Sequence, residues 1–209
     1  MTLVNEDDAR AFCVTLTDSA GMARLERLAT MVAEENARQN LIAKASESSI
    51  WLRHLADSAQ LLRHVPRETG PWLDLGTGAG FPGLVVAAAR IDLEVVLVES
   101  RKKRVDWLIR AAGELGLPKC RVVGKRLEHA ESFAAGVISA RAFAPLAKLL
   151  ALSARFSTHE TLWLLPKGRS AVQELASLPP HTARMFHVEH SVTDSEAGIV
   201  TGTGRPASA

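Results

Sequence analysis

As far as residue 64 the chain repeats its apolar positions every three or four places between charged ones. Leu25, Leu28, Met31 and Val32 form one such set, and Leu52, Leu55, Ala59 and Leu62 another. That period is the helical one. It predicts helices near 6–16, 20–39 and 47–64. Pro66, Gly70 and Pro71 then punctuate the chain. From residue 71 the pattern changes to short continuous apolar runs separated by amphipathic stretches. The runs predict strands at 72–75, 94–99, 120–123, 136–140, 160–165, 184–190 and 197–201. The stretches predict helices at 82–90, 101–115, 126–132, 144–155 and 169–176. Pro82 stands where a first helical turn tolerates proline, and Gly116 followed by Pro118 marks a helix stop.

Alternating strands and helices of these lengths describe an α/β fold: a doubly wound, mostly parallel seven-stranded sheet with helices on both faces. The last two strands have no helix between them, which predicts an antiparallel edge hairpin. Residues 1–66 read as an N-terminal helical extension packed on the core, and 67–209 as the main domain. The tail from Thr201 onward, rich in glycine and small residues, reads as mobile.

Composition narrows this picture modestly. With 209 residues and 47% apolar content, the chain suits one domain carrying a small extension. No apolar run reaches the ~20 residues of a membrane span, and the acidic start lacks a secretory signal's basic and apolar regions. Cys13 and Cys120 are the only cysteines. That usage predicts reduced thiols, a cytoplasmic setting and no cysteine-bound zinc. A net charge of +2 permits an anionic partner without requiring one.

The candidate chemistry centres on Asp74-Leu-Gly76-Thr-Gly78-Ala-Gly80-Phe81-Pro-Gly83, between a predicted strand and helix. Glycines there let the backbone turn sharply and approach a ligand closely, and the loop aims a helix N-terminus at it. Ligands of such sheets bind beyond the strand C-termini. Glu99 ends the second strand, 19 residues after Gly80. An acid near that spacing accepts hydrogen bonds from the ribose hydroxyls of a nucleoside cofactor. NAD and S-adenosylmethionine both present such a ribose. The dinucleotide pattern G-x-G-x-x-G would need its third glycine at position 81, which is Phe81. An acidic residue before G-x-G-x-G resembles instead the first motif of class I S-adenosylmethionine methyltransferases, with Asp74 placed to help neutralise the cofactor's ammonium through a water.

Several separated blocks carry a more specific resemblance. They are Asn40-Leu41, Trp51-Leu-Arg53-His54-Leu-Ala-Asp57-Ser58, the glycine block, Glu99-Ser-Arg-Lys-Lys-Arg-Val105, Ser139-Ala-Arg141-Ala-Phe-Ala144, and Leu165-Pro-Lys167-Gly168. Together, over roughly residues 30 to 200, the chain resembles the bacterial ribosomal RNA small subunit methyltransferase G family. The resemblance implies a Rossmann-like class I methyltransferase fold. It also implies an enzyme that moves a methyl group from S-adenosylmethionine to N7 of a guanosine in 16S rRNA. The implied partner is that rRNA, within a 30S subunit or an assembly intermediate, met by a monomer with no membrane attachment. Carried over position by position, the cofactor residues are Gly76, Phe81, Glu99, Leu127, Glu128 and Arg141. The loop reading adds Asp74, Gly78 and Gly80. The residues by themselves leave two alternatives open: a methyltransferase for another RNA, a small molecule or a protein, and a non-catalytic RNA-binding module of the same fold.

N7 of guanine is a lone-pair nucleophile with no proton to lose. Such a reaction needs in-line positioning and exclusion of water rather than a general base, and no catalytic residue is singled out. The Asn/Asp-Pro-Pro-aromatic motif of amino methylation is absent. Cys120 reads as a buried strand residue rather than the nucleophile of cytosine C5 methylation. RNA phosphates require basic surface. Lys103 and Arg104 start a helix beside the loop, and Lys125, Arg126, Arg141, Lys167 and Arg169 fall at strand C-termini around one rim. Arg53 and His54 lie on the third predicted helix, which the resemblance makes a cap on the cofactor pocket bordering the RNA. Asp57, four residues on, reads as a simple helix ion-pair partner of Arg53. His187 and His190 face opposite sides of their strand, so no metal site is expected. No tyrosine, six Phe and four Trp are too few for a broad stacking platform. Shape, phosphate contacts and one extruded base remain as the means of recognition.

Overall fold

The computed structural model describes residues 2–206. Among these residues seven strands form one sheet in the order β3-β2-β1-β4-β5-β7-β6. They are β1 (Trp72–Leu75), β2 (Val95–Val98), β3 (Cys120–Val123), β4 (Val137–Ala140), β5 (Leu162–Gly168), β6 (Phe186–His190) and β7 (Gly198–Thr203). Strands β1 to β5 run parallel, while β7 pairs antiparallel with both β5 and β6. The order reverses between β1 and β4, and a crevice opens there beyond the strand C-termini.

Two apolar layers explain why these segments are strands. Side chains of successive strand residues point to opposite faces. Trp72, Val95, Leu97, Val137, Leu164 and Ile199 accordingly enter one core. Leu73, Leu75, Val96, Val98, Ile138, Trp163 and Val200 enter the other. A strand buried on both faces reads as an unbroken apolar run, and each fully buried Leu or Val side chain contributes about 1.5–3 kcal/mol.

The first core is shared by α1 (Glu6–Val14), α2 (Ser19–Asn36), α4 (Gly83–Ala89) and α5 (Lys102–Glu114). The N-terminal helices are therefore packed on the sheet's first face. Asn5 and Asp18 cap α1 and α2 by accepting from the N–H groups of Asp8 and Gly21. The second core lies under α6 (Leu146–Ser153) and α7 (Ala171–Ala176).

Four expectations need correction. The helix predicted at 47–64 is not one α-helix. It is a 3₁₀ turn at Lys44–Ser49, a π-helical stretch at Trp51–Ala56, the single turn α3 (Asp57–Ala59) and a 3₁₀ end at Gln60–His64. Glu6 of α1 accepts from the N–H groups of Trp51 and Leu52. The start of the segment is thus pinned by a distant carboxylate rather than by a local cap. The helix predicted at 126–132 shrinks to a 3₁₀ turn at Leu127–His129, because the guanidinium of Arg155 takes the carbonyls of Leu127 and Ala130. A short helix, α8 (Pro180–Ala183), was not predicted. The tail is ordered through Pro206. β7 runs to Thr203, Gly204 donates to the carbonyl of Thr161, and the Trp163 indole donates to the carbonyl of Gly204. Residues 207–209 lie outside the described part.

Candidate active site

The loop from Gly76 to Pro82 leaves the C-terminal end of β1 and turns into α4. Gly76 has φ +61°, and a Cβ there would stand 2.4 Å from Cδ2 of Phe143. Only glycine allows both that backbone and that approach. Gly78, at φ +58°, is different: a Cβ would meet only the Gly76 carbonyl, at 3.7 Å, so its α-carbon borders open space. Glu99 fastens this loop to the end of β2. One of its oxygens accepts from Gly78 N–H at 3.1 Å, and the other from Ser100 and Arg101 N–H at 2.7 and 2.8 Å.

A cavity of about 560 Å³ lies over the loop. Gly76, Gly78, Phe81, Glu99, Leu127, Glu128 and Arg141 all line it. Two expected members do not. Asp74 is fully buried behind the loop, where it accepts from Gly83 N–H at 3.0 Å and from the Ser139 hydroxyl at 2.6 Å. It holds the first turn of α4 and cannot reach the cavity. Its burial pushes its pKa up to about 6, against hydrogen bonds that pull it down. Gly80 packs inward instead, with a Cβ there falling 2.4 Å from Leu84 Cδ1.

A second, larger cavity of about 940 Å³ adjoins the first. The two share Arg141, Ala142, Phe143 and Ala144, which follow β4 as a ridge between them. Arg141 is held in place from the N-terminal segment. It donates to Asp57 Oδ2 at 3.1 Å, to His54 Nδ1 at 3.0 Å and to the Arg53 carbonyl at 3.3 Å. It also stands 5.2 Å from the centre of the Phe81 ring, on which His54 stacks at 5.1 Å. Burial first, and the guanidinium groups of Arg141 and Arg53 second, hold the His54 pKa down at about 3. The ring is neutral, so Nδ1 accepts from Arg141 while Nε2 faces the Ser46 hydroxyl at 2.9 Å. Asp57 is thus the partner of Arg141 rather than of Arg53, whose guanidinium reaches Asp194 at 3.8 Å.

A family model described as rRNA small subunit methyltransferase G (GidB) matches residues 22–198. The chain belongs to this family. A ribosomal RNA small subunit methyltransferase G from Erythrobacter litoralis is 59% identical over 203 residues, covering 97% of this chain and 98% of that protein. One from Novosphingobium aromaticivorans is 56% identical over 207 residues, covering 97% and 90%. Among solved structures, an S-adenosylmethionine-dependent methyltransferase from Aquifex aeolicus superposes with TM-score 0.58 at 14% identity. That match covers 78% of this chain and 96% of the other. A chain of a fibrillarin/Nop5p complex superposes with TM-score 0.57 at 12% identity, covering 73% and 82%. These two likenesses bear on the fold alone, which is the Rossmann-like fold of the class I methyltransferases.

In this member of the methyltransferase G family the basic residues fall into three groups. Lys125 and Arg126 are exposed on the rim of the smaller cavity, with no ion pair among the described residues. Lys103 and Arg169 are exposed but line neither cavity. Arg104 and Lys167 are engaged internally. The Arg104 guanidinium donates to the carbonyls of Asn40 and Leu41, tying α5 to the loop after α2. Lys167, with its side chain 7% exposed, donates to the Ala144 carbonyl at 2.6 Å and pairs with Glu174 at 3.0 Å. It braces the ridge from the lining of the larger cavity. The sequence reading also missed Ala142, whose φ of +55° is left-handed without being glycine, and Asp194. A non-glycine residue gives no signal of such a backbone, and Asp194 lies in no recognisable motif. Both cysteines are free, and burial pushes each thiol up to about 12.

Proposed function

We propose that this protein transfers the methyl group of S-adenosylmethionine to N7 of a guanosine in 16S rRNA, within a 30S subunit or an assembly intermediate. The observation that carries the reading is the pair of adjoining cavities separated only by the Arg141–Ala144 ridge. One suits a nucleoside cofactor and the other an extruded base. The smaller cavity fits S-adenosylmethionine in its donor set: an open α-carbon at Gly78, the Glu99 carboxylate for ribose, the apolar wall of Leu127 and the Arg141 cation for the carboxylate of the amino acid end. When bound, the cofactor supplies a methyl group already activated on sulfonium.

The protein's own residues then have to position and exclude water. None of those at the ridge is free to act as a base. His54 is held neutral with both nitrogens engaged. Asp57 accepts from Arg141, Thr193 and Gln60. An acceptor without a proton, such as guanine N7, suits that arrangement. Residues 1–66 serve as a helical extension whose third segment caps the ridge, and 67–209 as the methyltransferase domain. Lys125 and Arg126 offer cations for RNA phosphates. The reaction belongs in the cytoplasm with the ribosomal subunits, and no helix among the described residues is long and apolar enough to cross a membrane.

The test is incubation with labelled S-adenosylmethionine and 30S particles from a strain lacking this modification. Label at guanine N7 of the 16S rRNA is the expected result. Absence of label there, with a working control methyltransferase, overturns the proposal. Label in a small molecule or protein without RNA would replace it with a different acceptor.

A further inference from the structure

The larger cavity contains three carboxylates on its lining: Asp57, Glu174 and Asp194. Two are saturated from within. Asp57 accepts from Gln60 and Thr193 on one oxygen and from Arg141 on the other. Glu174 accepts from Ser170 on one oxygen, and from Leu146 N–H and Lys167 on the other. Asp194 differs. Its Oδ1 closes a turn by accepting from Glu196 N–H at 3.0 Å. Among the described residues its Oδ2 has no hydrogen bond and only a loose ion pair, 3.8 Å from an Arg53 whose side chain is itself 56% exposed. A carboxylate oxygen with free lone pairs beside a cavity is an acceptor waiting for donors.

Its place in the site indicates which donors. Arg141 lines both cavities, whereas Asp194 lines only the larger one. The chain of contacts runs from Arg141 to Asp57, from Asp57 to Thr193, and so to the residue beside it, Asp194. Asp194 therefore stands on the side away from the cofactor cavity. A guanine that presents N7 across the ridge turns its opposite edge, with N1–H and the 2-amino group, in that direction. Those two groups are donors, and guanine is the base that offers both together. Phe143, Pro145, Pro166 and Ile199 supply apolar walls for a flat ring.

We propose that Asp194 determines base specificity, accepting from N1–H and the 2-amino group of the target guanine through Oδ2 in the larger cavity. This rests on the methylation reading above. Asp194 does not touch the reacting atoms, so its loss acts on recognition and leaves the cofactor site intact.

The test uses the full chain, and 30S subunits carrying either guanosine or inosine at the target position. Inosine has the same N7 and N1–H but lacks the 2-amino group. Wild type is expected to show kcat/KM about 10- to 100-fold lower for inosine, the worth of one hydrogen bond to a charged acceptor. D194N keeps the acceptor for Glu196 N–H and turns an amide NH₂ toward the base. It should lose most activity on guanosine and bring the two substrates within about threefold, with S-adenosylmethionine affinity by calorimetry unchanged. Wild type that treats both substrates alike, or D194N that keeps the full preference, overturns the assignment. Should D194N be inert on both, filter binding of the two subunits reads the same ratio. Wild type inactive on guanosine would instead refute the methylation reading itself, so the two failures are distinct.

Discussion

Replacing Glu99 is the most direct probe of the smaller cavity. The residue is 8% exposed, and its carboxylate already accepts three backbone N–H bonds, from Gly78, Ser100 and Arg101. Two carboxylate oxygens offer about four lone-pair sites, so capacity remains for a ribose. Glu99→Ala removes two kinds of interaction. The three N–H groups lose their acceptor, but they border the cavity and water reaches them, so the cost to folding is about 1–3 kcal/mol. The ribose loses its charged acceptor. Hydrogen bonds to a charged group contribute about 1.5–3 kcal/mol each. Two at the lower end give about 3 kcal/mol, or a Kd about 100-fold higher. Glu99→Gln keeps the shape, and its oxygen still serves Ser100 and Arg101. Its NH₂ then opposes the N–H of Gly78, and the charge is gone, which predicts a Kd about 10-fold higher. Calorimetry with S-adenosylmethionine and S-adenosylhomocysteine measures the order wild type, E99Q, E99A, with circular dichroism showing that each variant is folded. A folded E99A that binds within about threefold of wild type would refute this account of the ribose site.

Asp74 gives a pH signature. Its folded-state pKa is raised to about 6 from 3.8, chiefly by burial, so its favourable contribution is complete below about 3.8 and is lost as pH rises through 6. D74N should gain roughly 1–3 kcal/mol relative to wild type between pH 4 and 7.5; urea melts showing an equal difference at both pH values would refute it. His54 has the opposite sign. With its pKa held near 3 rather than 6.5, its contribution is full above 6.5 and falls as pH drops towards 3, less so in H54N. A ring titration near pH 6 by NMR would contradict the buried, neutral state. For the basic rim, a K125A/R126A double variant should keep its stability within about 0.5 kcal/mol and flatten the salt dependence of RNA binding by about one to two units of slope. K167A should do the reverse, losing about 2 kcal/mol with its hydrogen bond to the Ala144 carbonyl and its ion pair with Glu174, with little change in that slope.

The strands were legible because their burial is two-sided. Apolar runs such as Val95–Val98 admit no alternative face, and observed bounds fall within about two residues of the expected ones except where β5 runs on to Gly168. What could not be read depends on partners distant in sequence. Residues 47–64 have helical periodicity, yet the type of helix is set by Glu6, which sits 45 positions before Trp51. The stretch after β3 has helical composition, yet its carbonyls belong to Arg155, 28 positions after Leu127. The tail looks like a linker, but a tryptophan in β5 takes its Gly204 carbonyl.

The same limit governs the site, and it falls on charge rather than on position. Topology brings the C-termini of the parallel strands β1 to β5 to one edge, so the sequence places the glycine loop, Glu99 and the Arg141 segment together correctly. It does not say which charges are already paired. Lys125 and Lys167 look equivalent as lysines after strands; one is exposed without an ion pair among the described residues and the other is 7% exposed on Glu174. Asp74 and Asp57 invert the expectation in the same way. The acid beside the glycines holds a helix turn, while the one read as a helix ion pair holds the arginine between two cavities. That arginine is fixed by three groups from residues 53–57. The N-terminal segment therefore sets the geometry of the ridge on which donor and acceptor must meet. A reaction that needs alignment and no proton transfer depends on such a brace more than on any single reactive side chain.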